Sequence, residues 1–339
     1  MYKVLGFFFL ALTGAIILGP RETFESPKLL DTDIQIPLSG IDQYIKDKES
    51  LIPDLKPDNH ARIIWADSSL KQKTEYAVVY LHGFSASQKE GDPIHKDFAA
   101  RYGFNLYLAR LEDHGRPDSN SFIHLTPDNF LQSAEDAVDI GKLLGDKVIV
   151  ISCSTGGTLA TILASAGEKI HSMIMYSPNI DIYDPKSNLL LYPWGKKLSS
   201  IVMGGEYNRV NYDSLGRAYW NSTYHTNSLF ALKTMIRDYM TDEHFKKIKI
   251  PVFMGYYFKD EENQDKVVSV KRMHDFFNQI STPEAMKQKV AFPKAGGHVI
   301  SSEVFSRDID GVKMATFDWA ERVLKLRPVE NVSSLKPLE

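Results

Sequence analysis

The sequence predicts a doubly wound, mostly parallel α/β sheet, interrupted once by an inserted cap subdomain. Three observations carry this. Short runs rich in β-branched and other apolar residues recur along the chain, their apolarity is mostly continuous, and segments with helical spacing separate them. Continuous apolarity marks strands buried on both faces, as in parallel sheets covered by helices. With 339 residues, 43% of them hydrophobic, the chain is long enough for one large core and a subdomain.

In chain order, strands are expected at 61–66, 77–81, 105–109, 147–151, 172–176, 251–257 and 289–292. Thr126-Pro127 supplies a cap and first-turn residue for a helix in which Phe130, Ala134, Ala137, Val138 and Leu144 recur at helical spacing. Further helices are expected at 270–280 and 312–326. The rhythm breaks from 178 to 247, a stretch of Tyr, Trp, Asn and Gly where a cap would be inserted, so the core is 60–177 with 248–327. Residues 22–59, polar and proline-spotted, read as linker and lead-in, and 328–339 as a tail.

The N-terminal segment 1–21 has its own logic. Lys3 precedes an apolar run from 4 to 19, closed by Pro20 and Arg21, that is expected to enter a membrane. As a helix it spans roughly 24 Å, short of a ~30 Å hydrocarbon core yet long for a signal peptide, so an uncleaved anchor and a cleaved export signal both fit. Either way the expectation is an exported protein, anchored by this segment or secreted or periplasmic, with membrane contact through it. Cys153 is the single cysteine, which excludes an intrachain disulfide. A net charge of -3 and scattered Lys and Arg exclude a nucleic-acid footprint.

The run 148–157, VIVISCSTGG, is an apolar strand ending in a small-residue turn. A serine raised on a sharp strand-to-helix turn needs small neighbours two positions either side. Ser154 has them in Ser152 and Gly156, followed by Gly157; centring the turn on Cys153 or Ser152 would crowd it with Ile151 or Val150. By itself the run also fits an ordinary buried strand followed by a helix capped by Ser154 or Thr155. Ser152 stands where the usual G-x-S-x-G pattern has its first glycine.

A serine hydroxyl becomes a nucleophile when a histidine accepts its proton and an acid orients that histidine. His298, in AGGHV after the last expected strand, is the candidate base. The loop after 251–257 offers Asp260, Glu261, Glu262 and Asp265. Asp265, which opens DKVV with an apolar pair to pack it on the core, is preferred, with Asp260 as the alternative nearer the strand end. Two backbone N–H groups should receive the developing oxyanion: Phe84, behind the glycine of HGF at 82–84 that lets the chain turn sharply, and Thr155, at the start of the elbow helix.

These pieces resemble an α/β-hydrolase of the exported carboxylesterase, monoacylglycerol lipase and lysophospholipase type, over about 61–326. The likeness rests on HGF at 82–84, SCSTGG at 152–157, DKVV at 265–268 and GGHV at 296–299, in the order serine, acid, histidine. RLEDHG at 110–115 is similar to a pocket-flanking turn of that family, with Glu112 and Asp113 in place of the usual proline and glycine. The resemblance implies Ser154 as nucleophile, His298 as general base and then acid, Asp265 as orienter, and no metal or organic cofactor, in keeping with the lack of clustered His/Cys ligands or a phosphate-binding glycine fingerprint. The expected substrate is a small-molecule acyl ester: an acylglycerol, a lysophospholipid or a simpler ester.

Aromatic residues of the insert, among them Tyr192, Trp194, Tyr207, Tyr212, Tyr219, Trp220, Tyr224 and Phe230, fit either an acyl pocket or plain cap packing. An aminopeptidase or amidase of the same fold would need an anionic group in the cap, for which Glu206 and Asp213 are the candidates. A catalytically silent, membrane-tethered binding protein is the non-enzyme alternative, prompted by Ser152 and the Glu112-Asp113 turn.

Overall fold

The protein is represented by a computed structural model that describes residues 14, 18–21, 24–30, 34–117 and 121–329. Most of the apolar run at 4–19, and the tail from 330 onward, lie outside the described residues. Among the described residues no helix is long and apolar enough to cross a membrane.

The strands are β1 (Arg62–Ile64), β2 (Thr74–Leu81), β3 (Asn105–Leu108), β4 (Gly145–Cys153), β5 (Ser172–Tyr176), then β6 (Tyr207–Arg209) and β7 (Thr223–His225), and finally β8 (Val252–Tyr256) and β9 (Lys287–Ala291). Seven of them form one sheet in the order β1-β3-β2-β4-β5-β8-β9. Only β1 runs antiparallel to its neighbour; the other pairings are parallel. Strands β6 and β7 pair separately and antiparallel, within the segment between β5 and β8 that also carries the helices Gly195–Met203, Ser214–Tyr219 and Asn227–Tyr239.

The continuous apolarity of the central strands has a direct cause. Val79, Leu81 and Val150 point into one core, while Val78, Tyr80, Ile149 and Ile151 point into the other beside Phe98 and Trp319. Each strand alternates faces, and both faces are covered. At roughly 1.5–3 kcal/mol for each large apolar side chain buried, a one-residue slip that exchanged the two sets would be heavily penalised.

From β2 the chain proceeds toward one sheet edge, through β3, and from β4 toward the other. β2 and β4 are therefore the pair at which strand order reverses, where α/β sheets open a crevice beyond their carboxyl ends. Their register, Leu81 opposite Ser152, brings the loops after both strands together. β4 extends to Cys153, past the expected end at 151, because Ser152 and Cys153 pair with Met175 and Tyr176.

The helix Pro127–Leu144 starts in a full capping box: Asn129 N–H donates to Thr126 Oγ1 at 3.2 Å, and Thr126 N–H donates to Asn129 Oδ1 at 2.8 Å. A helix at Ile41–Ser50 was not foreseen in the lead-in region. Only Ile41 and Ile45 of it are buried, too sparse a stripe to read as periodic; it is held by a two-pronged ion pair between Glu49 and Arg110, 2.9 Å at its closest.

Candidate active site

Ser154 stands between β4 and the helix Thr155–Ala166 with φ 51° and ψ -119°, a region L-residues rarely occupy. Such a backbone costs on the order of 1–3 kcal/mol and persists only where its surroundings dictate it. Here Ser154 N–H donates to Tyr176 O at 3.0 Å, and Ser154 O accepts the N–H groups of Gly157 and Asn179, each at 2.9 Å. The small neighbours serve close approach: a Cβ at Gly156 would lie 2.0 Å from Leu81 O, and one at Gly157 2.7 Å from Pro178 Cβ. Ser152 lies in the extended strand, so the glycine it replaces is not needed there for a left-handed angle. Its hydroxyl is fully buried and has no hydrogen-bond partner among the described residues.

His298 and Asp265 meet at 2.6 Å, Nδ1–H of the imidazole donating to Asp265 Oδ2. Asp265 is buried, and its Oδ1 accepts the N–H groups of Val267 and Val268 at 2.8 and 3.1 Å. Asp260 instead faces solvent, its carboxylate occupied by Glu262 N–H and Asn263 in its own turn. The structure therefore brings Asp265, and not Asp260, to the imidazole. Burial alone would lower the pKa of His298, but the charge and hydrogen bond of Asp265, with the charge of Glu90, outweigh it and raise the group above its ordinary value. Gly296, at φ 85°, lets the loop turn before His298, and Ser177 Oγ donates to His298 O at 2.7 Å.

The loop after β2 resolves through its amides. Gly83 N–H donates to Glu90 Oε2 at 2.5 Å, Ser85 N–H to His114 Nε2 at 3.1 Å, and Ala86 N–H to Gly83 O at 3.2 Å. Phe84 N–H has no acceptor among the described residues. Thr155 N–H, the first amide of its helix, likewise has none. Gly83 was expected for a sharp turn; its φ is not left-handed, and Ser85 takes that angle at 62°. What requires glycine at 83 is space, since a Cβ would lie 2.8 Å from Glu90 Oε1 and 2.9 Å from Ser154 Cβ.

Two histidines brace this loop. His82 Nε2 accepts Leu111 N–H at 3.1 Å while Nδ1–H donates to Gly83 O at 2.9 Å, and His114 Nδ1–H donates to Glu112 O at 2.8 Å. Burial pushes His82 down to about 4 and His114 well below its ordinary value, so both act as neutral acceptors. The turn 110–115 thus backs the loop and does not line the cavity; Asp113 takes φ 60° and pairs with Arg116 at 2.7 Å.

Ser154, Thr155, Phe84 and His298 line one cavity of about 620 Å³. No hydrogen bond joins the Ser154 hydroxyl to His298 among the described residues; in unliganded sites this contact often tightens only with substrate bound. Of the insert aromatics, Tyr212, Trp220 and Tyr224 face the cavity, with Ile182, Leu229 and Phe305 beside them. Phe230 is buried core and Tyr192 is exposed. Glu206 and Asp213 do not line it: Glu206 sits 3.9 Å from His225, and Asp213 caps the helix Ser214–Tyr219 by accepting Gly216 N–H at 2.7 Å. Burial pushes the Cys153 thiol far up, so this neighbour of Ser154 is inert packing. Glu90, buried in the cavity wall, was missed by the sequence reading.

No protein-family model matches the chain, and no curated protein matches its sequence. Solved structures do match. A metagenome-derived lipolytic enzyme aligns with TM-score 0.61 at 15% identity, over 78% of this chain and 98% of that one. A soluble variant of the monoglyceride lipase from Saccharomyces cerevisiae aligns with TM-score 0.57 at 15% identity, over 82% and 96%. The fold is that of the α/β-hydrolases. The monoacylglycerol lipase of Paleococcus ferrophilus aligns with TM-score 0.55 at 13% identity, over 77% of this chain and 97% of that one.

Proposed function

We propose that this protein is a serine hydrolase that cleaves carboxylic esters through an acyl-serine intermediate. The observation that carries the reading is the convergence, on one cavity, of a strained Ser154, a His298 held by a buried Asp265, and two backbone amides, Phe84 and Thr155, without acceptors among the described residues. Ser154 Oγ attacks the ester carbonyl as His298 Nε2 takes its proton, and the two amides receive the oxyanion. Collapse expels the alcohol, protonated by His298. Water then attacks the acyl-enzyme by the same route, returning the proton to Ser154 and releasing the acid.

The apolar flank of the cavity favours an acyl chain, so acylglycerols, lysophospholipids or simpler acyl esters are the proposed substrates. Export, with membrane contact through the N-terminal run, is proposed from the sequence of 4–19 alone. The test is labelling by a fluorophosphonate together with turnover of an ester panel of graded chain length, on the wild type and on Ser154→Ala. Labelling and turnover should vanish in the variant, with kcat down on the order of 10⁶-fold. Equal labelling of both proteins defeats the mechanism.

A further inference from the structure

Glu90 is a carboxyl in the cavity wall that the acyl-transfer steps leave unused. It is 2% exposed and forms no ion pair with a lysine or arginine among the described residues. Its surroundings are those of the reaction itself. Oε2 accepts Gly83 N–H, and the Gly83 position is squeezed between the Glu90 carboxyl and Ser154 Cβ. The Cys153 thiol and the Trp220 side chain, which comes from the segment between β5 and β8, lie near enough to favour its charged form, and His298 faces it as a charge. Tyr80 and Tyr212 also feel its charge. The turn that carries it is tied to the loop after His298: Ser301 Oγ donates to Glu90 O at 2.8 Å and Ser302 Oγ to Lys89 O at 2.7 Å.

Residue 83 is a glycine, free to choose its backbone angles unless both its ends are fixed. Its carbonyl is fixed by His82 Nδ1–H and Ala86 N–H, and its amide by Glu90. The Phe84 N–H belongs to the same planar unit as the Gly83 carbonyl, so pinning both ends of Gly83 sets where that N–H points. Resting on the serine-hydrolase reading, we propose that Glu90 is a positioning residue for acyl transfer: it keeps the Phe84 amide turned to the reacting carbonyl, and its charge opposes the imidazolium that His298 becomes. Burial pushes its carboxyl up to about 7, countered in part by Gly83 N–H and by His298.

The test is steady-state ester hydrolysis by Glu90→Ala and Glu90→Gln from pH 5 to 9, with folding checked by circular dichroism. Glu90→Ala leaves Gly83 N–H without its acceptor; kcat should fall about 10- to 100-fold, less than outright loss of an oxyanion donor, with KM nearly unchanged. Glu90→Gln keeps an acceptor and should restore kcat to within about fivefold. Having lost the charge, it should also move the acid limb of kcat/KM down by about half a pH unit, a change that a merely structural role would not produce. Wild-type kcat in Glu90→Ala, a loss confined to KM, or an unmoved acid limb in Glu90→Gln overturns the proposal. So does failure of the near-isosteric Glu90→Gln to fold, which would make the carboxyl structural. If fluorophosphonate labels Ser154→Ala as strongly as wild type, the hydrolase reading itself fails, visibly and without reference to Glu90, and this proposal falls with it.

Discussion

Replacing Asp265 by Asn tests the acid with almost no change of shape. The amide oxygen still accepts Val267 and Val268 N–H, so the loop is retained. The other end changes character. Where Oδ2 accepted His298 Nδ1–H at 2.6 Å, an NH₂ group now opposes an N–H. The neutral imidazole escapes by carrying its proton on Nε2, the nitrogen that takes the proton of Ser154 in the proposed mechanism. Loss of a triad acid in this way lowers kcat by about 10⁴, or about 5.5 kcal/mol of barrier. Stability should change far less, by about 1.5–3 kcal/mol for one charge-assisted hydrogen bond. The imidazole also loses the carboxylate that raises its pKa, so the acid limb of the residual activity should move to lower pH. Turnover of a short-chain p-nitrophenyl ester measures the first effect and urea unfolding the second. Asp260→Asn is the control; with its carboxylate engaged in its own exposed turn, it should stay within about twofold of wild type in kcat. The reasoning is refuted if Asp265→Asn retains kcat within tenfold of wild type, or if Asp260→Asn causes the loss instead.

Two further outcomes concern stability. Ser152→Ala removes a fully buried hydroxyl that has no partner among the described residues and should raise stability by about 1 kcal/mol in urea, with ester turnover unchanged; a destabilised variant contradicts the accounting. His95 is fully buried, its pKa pushed by burial to about 4 from the ordinary 6.5. The folded value is the depressed one, so its contribution is complete above pH 6.5 and is lost as pH falls toward 4, by about 2 kcal/mol at pH 5. His95→Phe should therefore show a shallower loss of stability between pH 8 and 5 by that amount, and a difference from wild type that does not vary with pH defeats the point.

The sheet was legible because its signal is local. Runs such as 77–81 and 147–151 are apolar throughout, and only strands buried on both faces require that. Boundaries were misjudged where partners decide them: Thr74 to Tyr76 belong to β2 because β4 pairs with them from Gly145 onward, although Thr74 and Glu75 are polar. Asp265 was favoured over Asp260 on the apolar pair that follows it, and those two valines are the residues whose N–H groups hold its carboxylate. Gly83 was noticed for the wrong reason, since a glycine required by a neighbour and one required by its own angle look alike in a sequence.

What the sequence hid was function carried by contacts across long separations. Glu90 sits in SQKEGD, a polar stretch that reads as an exposed turn, and His114 in a turn noted for its likeness to a pocket-flanking turn, with no role given to its histidine. Each gains its meaning from a backbone amide of the loop after β2: Glu90 from Gly83 N–H, His114 from Ser85 N–H. An amide is present at every residue, so no residue type marks the one that will need an acceptor. The buried polar side chains found beside such amides are therefore the place where a three-dimensional structure adds to this sequence. In this chain they divide the work: the histidines, held neutral by burial, fix the far side of the loop, and Glu90, the only one of the three that lines the cavity, fixes the side facing Ser154.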